Sequence, residues 1–343
     1  MAVIQICILN TSAMPALRYG KQEETSIEDQ NKRILKNKLY SSSILKDPRT
    51  VETKNEVPES SHKLIEGGPQ PVILISMGRS GSSAIWDTMS TLTGQKSAAV
   101  EIPGSSVPQT KAFFDALASN GDFAGQWMYD FMLRIQNRRI RSNQGNGIVG
   151  FKWKPYPSFF DEPAILTLKA IAESKDPQVK VVRSRRNALD VYISSLKHGD
   201  FGRTVGGSIP AHCTPSDIIC IEKHHQREVG MQIPVQSMLT VLSNLVAQED
   251  KVDQTLDELG VPHVDVSYDL LFSDNHNTVI DEWNKIFTFL GMGPTKGNGL
   301  TVDVIKNAPD IAVTSIHDHN VTIENYEEVR TDLSATPFLG LLH

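Results

Sequence analysis

Arg79-Ser-Gly-Ser-Ser83 is the stretch of this chain best equipped for chemistry, with one guanidinium and three hydroxyls beside the glycines Gly78 and Gly81. Such a loop suits a phosphate. Glycines let the backbone come close, hydroxyls donate hydrogen bonds, and the forked guanidinium adds charge. A second cationic position, Arg186, is followed eight residues on by Ser194. Lys152 ends an apolar run, where ligands of open α/β sheets collect. Two such anion-binding turns in one sheet imply a ligand with two separate phosphates.

The elements around these residues must bring them to one place. Val72 to Ile75 is apolar enough for a strand buried on both faces, and Ile85, Met89 and Leu92 then mark one stripe of a helix. The loop between them therefore sits at a helix N-terminus, where unpaired amides and the dipole favour an anion. Helices are expected at 110–117 and 125–141. A strand over 147–152 and a Pro155/Pro157 turn follow. A helix over 163–174 leads to a strand at 179–182, a basic turn at 183–186 and a helix at 187–197. Ser194 then stands about 12 Å of helix rise from Arg186, so both reach one ligand only if the preceding loop doubles back. A long loop over 199–215, helices at 216–230 and 235–259, a strand at 263–268, a helix at 278–290 closed by Gly291, an irregular segment and a last helix at 326–333 complete the pattern. Alternation of strands and helices predicts an α/β fold: a P-loop-like three-layer architecture with a central parallel sheet flanked by helices.

Composition narrows the possibilities. The 343 residues are 39% apolar and 22% charged, the balance of a soluble globular protein able to bury a full core. A net charge of −6 argues against nucleic acid as a partner. The Walker pattern, a glycine-lysine followed by Ser or Thr, is absent, and no obvious carboxylate partner for Mg²⁺ is present. A small-molecule kinase is thus disfavoured against a nucleotide-binding enzyme of another kind, with a non-catalytic binder of the same fold as the third possibility. The blandest reading of the serine run is an N-cap on a core helix. Residues 18–70 are polar and mixed in charge, and with the mildly apolar first 17 they are expected to form a flexible leader over 1–70, with the folded domain covering 71–343. The first 17 residues lack a basic n-region and are too polar for a clear membrane span, which leaves the compartment open between the cytoplasm and, if they are a truncated anchor, the Golgi lumen. Cys213 and Cys220 can pair across a short loop or join His212, His224 and His225 as metal ligands. No standard zinc spacing is present, so plain surface-loop residues and no metal are expected. Arg134, Arg138, Arg139 and Arg141 are expected on a solvated helix face, with attraction of an anionic acceptor as the alternative.

With its hydrophobic strand, Arg79-Ser-Gly-Ser-Ser resembles the 5′-phosphosulfate loop of sulfotransferases that use 3′-phosphoadenosine 5′-phosphosulfate (PAPS), in the Arg form of the carbohydrate or Golgi-type members. Arg186-Asn-x-x-Asp-Val-x-x-Ser194 is similar to that family's 3′-phosphate motif. Val266-Ser-Tyr-Asp-Leu-Leu271 and Phe289-Leu-Gly291 are similar to its later Tyr-Glu-Asp-Leu and Phe-Leu-Gly elements. The resemblance implies PAPS as sulfate donor, no metal, and a glycan or small-molecule acceptor. It implies that Arg79, Ser80, Gly81, Ser82 and Ser83 hold the 5′-phosphate and sulfonate, and that Arg186 and Ser194 hold the 3′-phosphate. Ala84 stands where cytosolic members carry an adenine-stacking Trp. The catalytic His of those members is absent from Lys152-Trp-Lys-Pro155. Glycan-modifying members carry a Glu after the first helix instead, which makes Glu101 the expected base. Lys152 would hold sulfonate oxygens or tune Glu101, Arg79 would stabilise charge on the bridging oxygen, and His198 and His212 are the reserve bases.

Overall fold

Gln70–Ser76 forms β1, and every residue after Gln70 in it is buried. The computed structural model describes residues 64–94, 100–102, 122–144, 146–173, 179–197, 213–293, 300–309 and 318–342. All belong to the unit Ser61–His343. After β1 come α1 (Ser82–Leu92), β2 (Val100–Ile102), α2 (Asp122–Arg141), β3 (Ile148–Trp153) and α3 (Glu162–Glu173). Then follow β4 (Lys180–Arg185), α4 (Ala188–Lys197), α5 (Ile218–Glu228), α6 (Val235–Glu258) and β5 (His263–Ser267). The chain ends with α7 (Tyr268–Leu271), α8 (His276–Leu290), α9 (Val302–Lys306), α10 (His319–Thr322), α11 (Tyr326–Ser334) and a 3-10 segment, Pro337–Leu342.

The five strands form one sheet in the order β2-β3-β1-β4-β5, and every pairing is parallel. Alternate side chains of the central strands point to opposite faces. Ile73, Ile75, Phe151 and Trp153 pack under Met128 and Met132 of α2, Leu168 of α3 and Val252 of α6. Val72, Leu74 and Val182 pack under Ile85 and Met89 of α1 and Trp283 and Ile286 of α8. The result is the expected three-layer α/β architecture with its sheet covered on both faces. A third cluster joins Leu189 and Tyr192 of α4, Met238 and Leu242 of α6, and Val329 and Leu333 of α11. At the centre of the sheet Gly150 lies opposite Val72, and a Cβ there would meet the Val72 carbonyl at 1.8 Å. Only glycine fits the strand at that point.

Several expectations are corrected. Leu64 is buried in the core, so the fold begins ahead of Pro71. The edge strand β2 has too few residues for a period to register in the sequence, and it puts Glu101 on the sheet opposite Lys152. The strand expected at 179–182, β4, runs on to Arg185, so the basic residues 183–185 are not a turn. Arg183 is fully buried, held by Glu249 and by Asp253 at 2.9 Å. Arg139 is not solvated: it is 6% exposed and donates to the carbonyls of Ile148 at 2.5 Å and Asn146 at 2.7 Å. Cys213 and Cys220 are buried and joined by a disulfide, with Cα atoms 5.6 Å apart, instead of being plain surface-loop residues. The segment after Gly291, expected to be irregular, holds the short helices α9 and α10. The expected leader up to residue 63, the helix at 110–117 and the loop at 199–212 lie outside the described residues. No helix among the described residues is long and apolar enough to cross a membrane.

Candidate functional site

The chain leaves β1 toward β2 at one edge of the sheet and leaves β4 toward β5 at the other. The crevice beyond the ends of β1 and β4 is therefore a topological switch point, the usual ligand position in an open parallel sheet. Met77 to Gly81 fills the β1 side of it. Arg79 has φ 64° and Gly81 φ 74°. A left-handed arginine costs on the order of 1 kcal/mol, a strain typical of ligand-gripping loops. The Ser80 hydroxyl, fully buried, donates to the Met77 carbonyl at 2.7 Å and pins the turn. Its proton is thus given to the loop itself. The ring of Tyr268 lies against Gly81, where any Cβ would come within 1.9 Å of it. Gly81 is therefore required twice, by its conformation and by that ring.

Two lysines from β3 and the residue just after it support the other side of the loop. Lys152 donates to the Ser83 hydroxyl at 2.9 Å and pairs with Glu101 at 3.0 Å. Lys154 donates to the Ser82 hydroxyl at 2.6 Å and to the Met77 carbonyl at 3.1 Å, and its amine lies 4.0 Å from Glu101. Because each serine oxygen accepts from a lysine, its own proton points elsewhere and is available to an anion. Burial is the main force on Lys154, and Lys152 and Arg79 add repulsion. Glu101 opposes them, and the balance lowers the amine from its usual 10.5 to about 7. The Glu101 carboxyl is 43% exposed, within reach of a molecule arriving from solvent.

Arg186 enters from the end of β4. Its Nη1 donates to the Arg79 carbonyl at 3.1 Å, and its guanidinium stacks over the Tyr268 ring at 4.6 Å. Two residues of α7 build this corner, since Asp269 also accepts from the Asn187 amide at 3.0 Å. The loop after β1 and the turn after β4, expected separately, are thus in direct contact. Behind Arg186 stands Asp190 at 3.9 Å, which accepts from His319 at 2.9 Å. Burial would lower the His319 pKa, but the hydrogen bond and charge of Asp190 prevail and raise it. Lys197, paired with Glu228 at 2.6 Å, is lowered by burial, and Arg186 and Arg79 push it further down. Cations that depress one another in this way, in a chain of net charge −6, mark a place suited to an anion.

Of the residues expected at the site, Arg79, Gly81, Ser82, Ser83, Glu101, Lys152 and Arg186 are linked by the contacts above. Ser194 is half-buried on α4. His198 and His212 lie outside the described residues. The arginines of α2 gather at the opposite end of β3, because Arg139 bonds to Ile148, its first residue. Sequence reasoning missed the roles of Lys154 and Tyr268. Lys154 lies in the segment Lys152-Trp-Lys-Pro155 with no signal of its own, and Tyr268 stands out only as part of a motif similar to Tyr-Glu-Asp-Leu.

The chain matches no protein-family model and no curated protein. Among solved structures it is similar to a sulfotransferase from Alicyclobacillus acidocaldarius, with 15% identity and a TM-score of 0.32, covering 80% of this chain and 96% of that one. A likeness of that size assigns no residue and no activity, so the reading of the site rests on its own side chains.

Proposed function

We propose that this chain is a PAPS-dependent sulfotransferase acting on a hydroxyl or amine of a carbohydrate or small metabolite. The observation that carries the reading is the Arg186–Arg79 contact at 3.1 Å, which joins two strand-end cation turns into one cradle. A nucleotide bearing one phosphate group at each end of its ribose suits that arrangement, and a ligand with a single phosphate has no use for the second turn. Residues 79–83, through the loop amides, Arg79 and the Ser82 and Ser83 hydroxyls, would hold the 5′-phosphate and sulfonate. Arg186 would hold the 3′-phosphate, and Ser194 is assigned with it on motif spacing alone. Bound there, PAPS supplies a sulfuryl group ready for in-line transfer, with no metal required.

The chain's own work is then positioning, charge stabilisation and one proton transfer. Arg79 and Lys152 face charge growing at the transferred group. Glu101, exposed and tethered by Lys152, takes the proton of the acceptor. The tether fixes the carboxylate beside Ser83, the same hydroxyl that Lys152 orients. Base and donor loop are thereby held by one ammonium group.

The test is transfer of labelled sulfate from PAPS to a panel of sugars, hydroxylated metabolites and amines. Glu101→Gln is expected to keep nucleotide binding and to lose about 10²- to 10⁴-fold in turnover, the usual size of a general-base effect. Normal turnover in Glu101→Gln removes that residue from the reaction. Nucleotide binding by the wild type with no transfer to any acceptor favours a non-catalytic binder.

A further inference from the structure

Cys213, Cys220 and His224 have no part in the site described above and are 3%, 5% and 2% exposed. Cys220 and His224 are one turn apart on α5, so they share a face of that helix. Asp217 caps the helix by accepting from the Cys220 amide at 3.0 Å, which fixes the first turn and the direction of the Cys220 side chain. A ring nitrogen of His224 and both sulfurs all lie within 4.8 Å of one another. Two sulfurs and an imidazole are the donor set of zinc-class ions, which sit about 2.3 Å from sulfur and about 2.0 Å from nitrogen. A tetrahedral ion of that kind holds its two sulfurs roughly 3.8 Å apart. The cysteine Cα atoms are 5.6 Å apart, close enough for one ion to bridge their side chains. Residues 214–219 between them are exposed, so the backbone there can yield without disturbing the core.

We propose that Cys213, Cys220 and His224 form a redox-gated site for a soft divalent cation, closed as the disulfide and opened to metal by a dithiol reductant. The dithiol gives two electrons and two protons to the disulfide and leaves as its own disulfide. The two new thiols release two protons as the cation binds, neutral His224 supplies the third ligand, and water completes the tetrahedron. Glu228 lies one further turn along the same buried stripe of α5 and pairs with Lys197. Either closure, disulfide or metal, anchors the start of the helix that carries this pair. The proposal is independent of the sulfotransferase reading.

The experiment uses the full chain with Cys7→Ser, so that every thiol counted belongs to the pair. After reduction with a phosphine and a thiol count of two, Co²⁺ is added as a spectroscopic probe. One equivalent is expected to give thiolate-to-cobalt charge-transfer and tetrahedral ligand-field bands that Zn²⁺ abolishes, while the oxidised protein gives none. His224→Ala, shown to be folded by circular dichroism, is expected to weaken Co²⁺ binding at least tenfold, and Cys213→Ser to remove the bands. Absence of thiolate bands in the reduced protein, unfolding on reduction, or unchanged Co²⁺ affinity in His224→Ala overturns the proposal.

Discussion

Arg183 and Arg186 lie three residues apart on the same strand-to-helix passage, yet their surroundings differ in kind. Arg183 is fully buried between Glu249 and Asp253, and neighbouring Arg185 shares Asp253 at 3.0 Å and Asp265 at 3.3 Å. Carboxylates there outnumber the arginines they hold. Around Arg186 cations gather instead: Lys152 and Lys154 lie against Glu101, Arg186 against Asp190 and Lys197 against Glu228, and Arg186 reaches the Arg79 carbonyl. The first cluster is a closed ion-pair network that ties β4 to α6. The second gathers cations from three segments of the chain beside a loop with a left-handed arginine. Burial of a cation does not by itself mark a site; the count and placement of its partners do.

The difference can be broken by substitution. Arg183→Ala leaves Glu249 and Asp253 facing an empty place in the core, and a loss of about 3–5 kcal/mol in unfolding free energy is expected, with nucleotide affinity of the folded protein unchanged. Arg186→Ala is expected to act chiefly on the ligand, weakening binding of adenosine 3′,5′-bisphosphate by roughly 10- to 100-fold while costing less stability than Arg183→Ala. Denaturant melts and equilibrium binding on both variants decide this. If both variants lose stability alone, the cluster around Arg186 is structural too.

Lys154 sharpens the contrast through pH. Its amine, near 7 instead of 10.5, binds a proton more readily in the unfolded chain. Stability should therefore rise as pH goes from 7 toward 10.5, and Lys154→Met should flatten that rise. An anion at the loop would raise the amine again, so binding should take up a proton near pH 8 and weaken as pH increases. Calorimetry in two buffers of different ionisation enthalpy measures that proton, and Lys154→Met should lose it. The smallest effect is expected at His319, whose pKa Asp190 raises above 6.5. Its contribution is complete below 6.5 and is lost as pH climbs through the raised value. His319→Gln should therefore cost more stability at pH 6 than at pH 9. Equal costs at the two pH values would mean that the His319–Asp190 contact is not ionic.

Much of this was legible in the sequence because the signals are local. The run Val72 to Ile75, the loop from Arg79 to Ser83 and the apolar stripe of α1 are contiguous, and Arg186 directly follows a strand. What escaped depends on residues distant in the chain. Arg183 reads as part of a basic turn until Glu249 and Asp253 arrive from α6. Tyr268 gains its place only because β5 lies beside β4, which brings its ring to Gly81 and Arg186. The strand at Glu101 is too brief to show a period, and it becomes visible through its pairing with β3. Burial of the two cysteines cannot be read from their spacing either, because it follows from how α5 packs.

The central claim is that one nucleotide spans both turns, and it is tested most directly by comparing wild type and Arg186→Ala for binding of adenosine 3′,5′-bisphosphate and of adenosine 5′-monophosphate. The account predicts that the wild type prefers the bisphosphate at least tenfold and that Arg186→Ala loses that preference while still binding the monophosphate. Equal affinity of the wild type for the two nucleotides, or binding of neither, would contradict it.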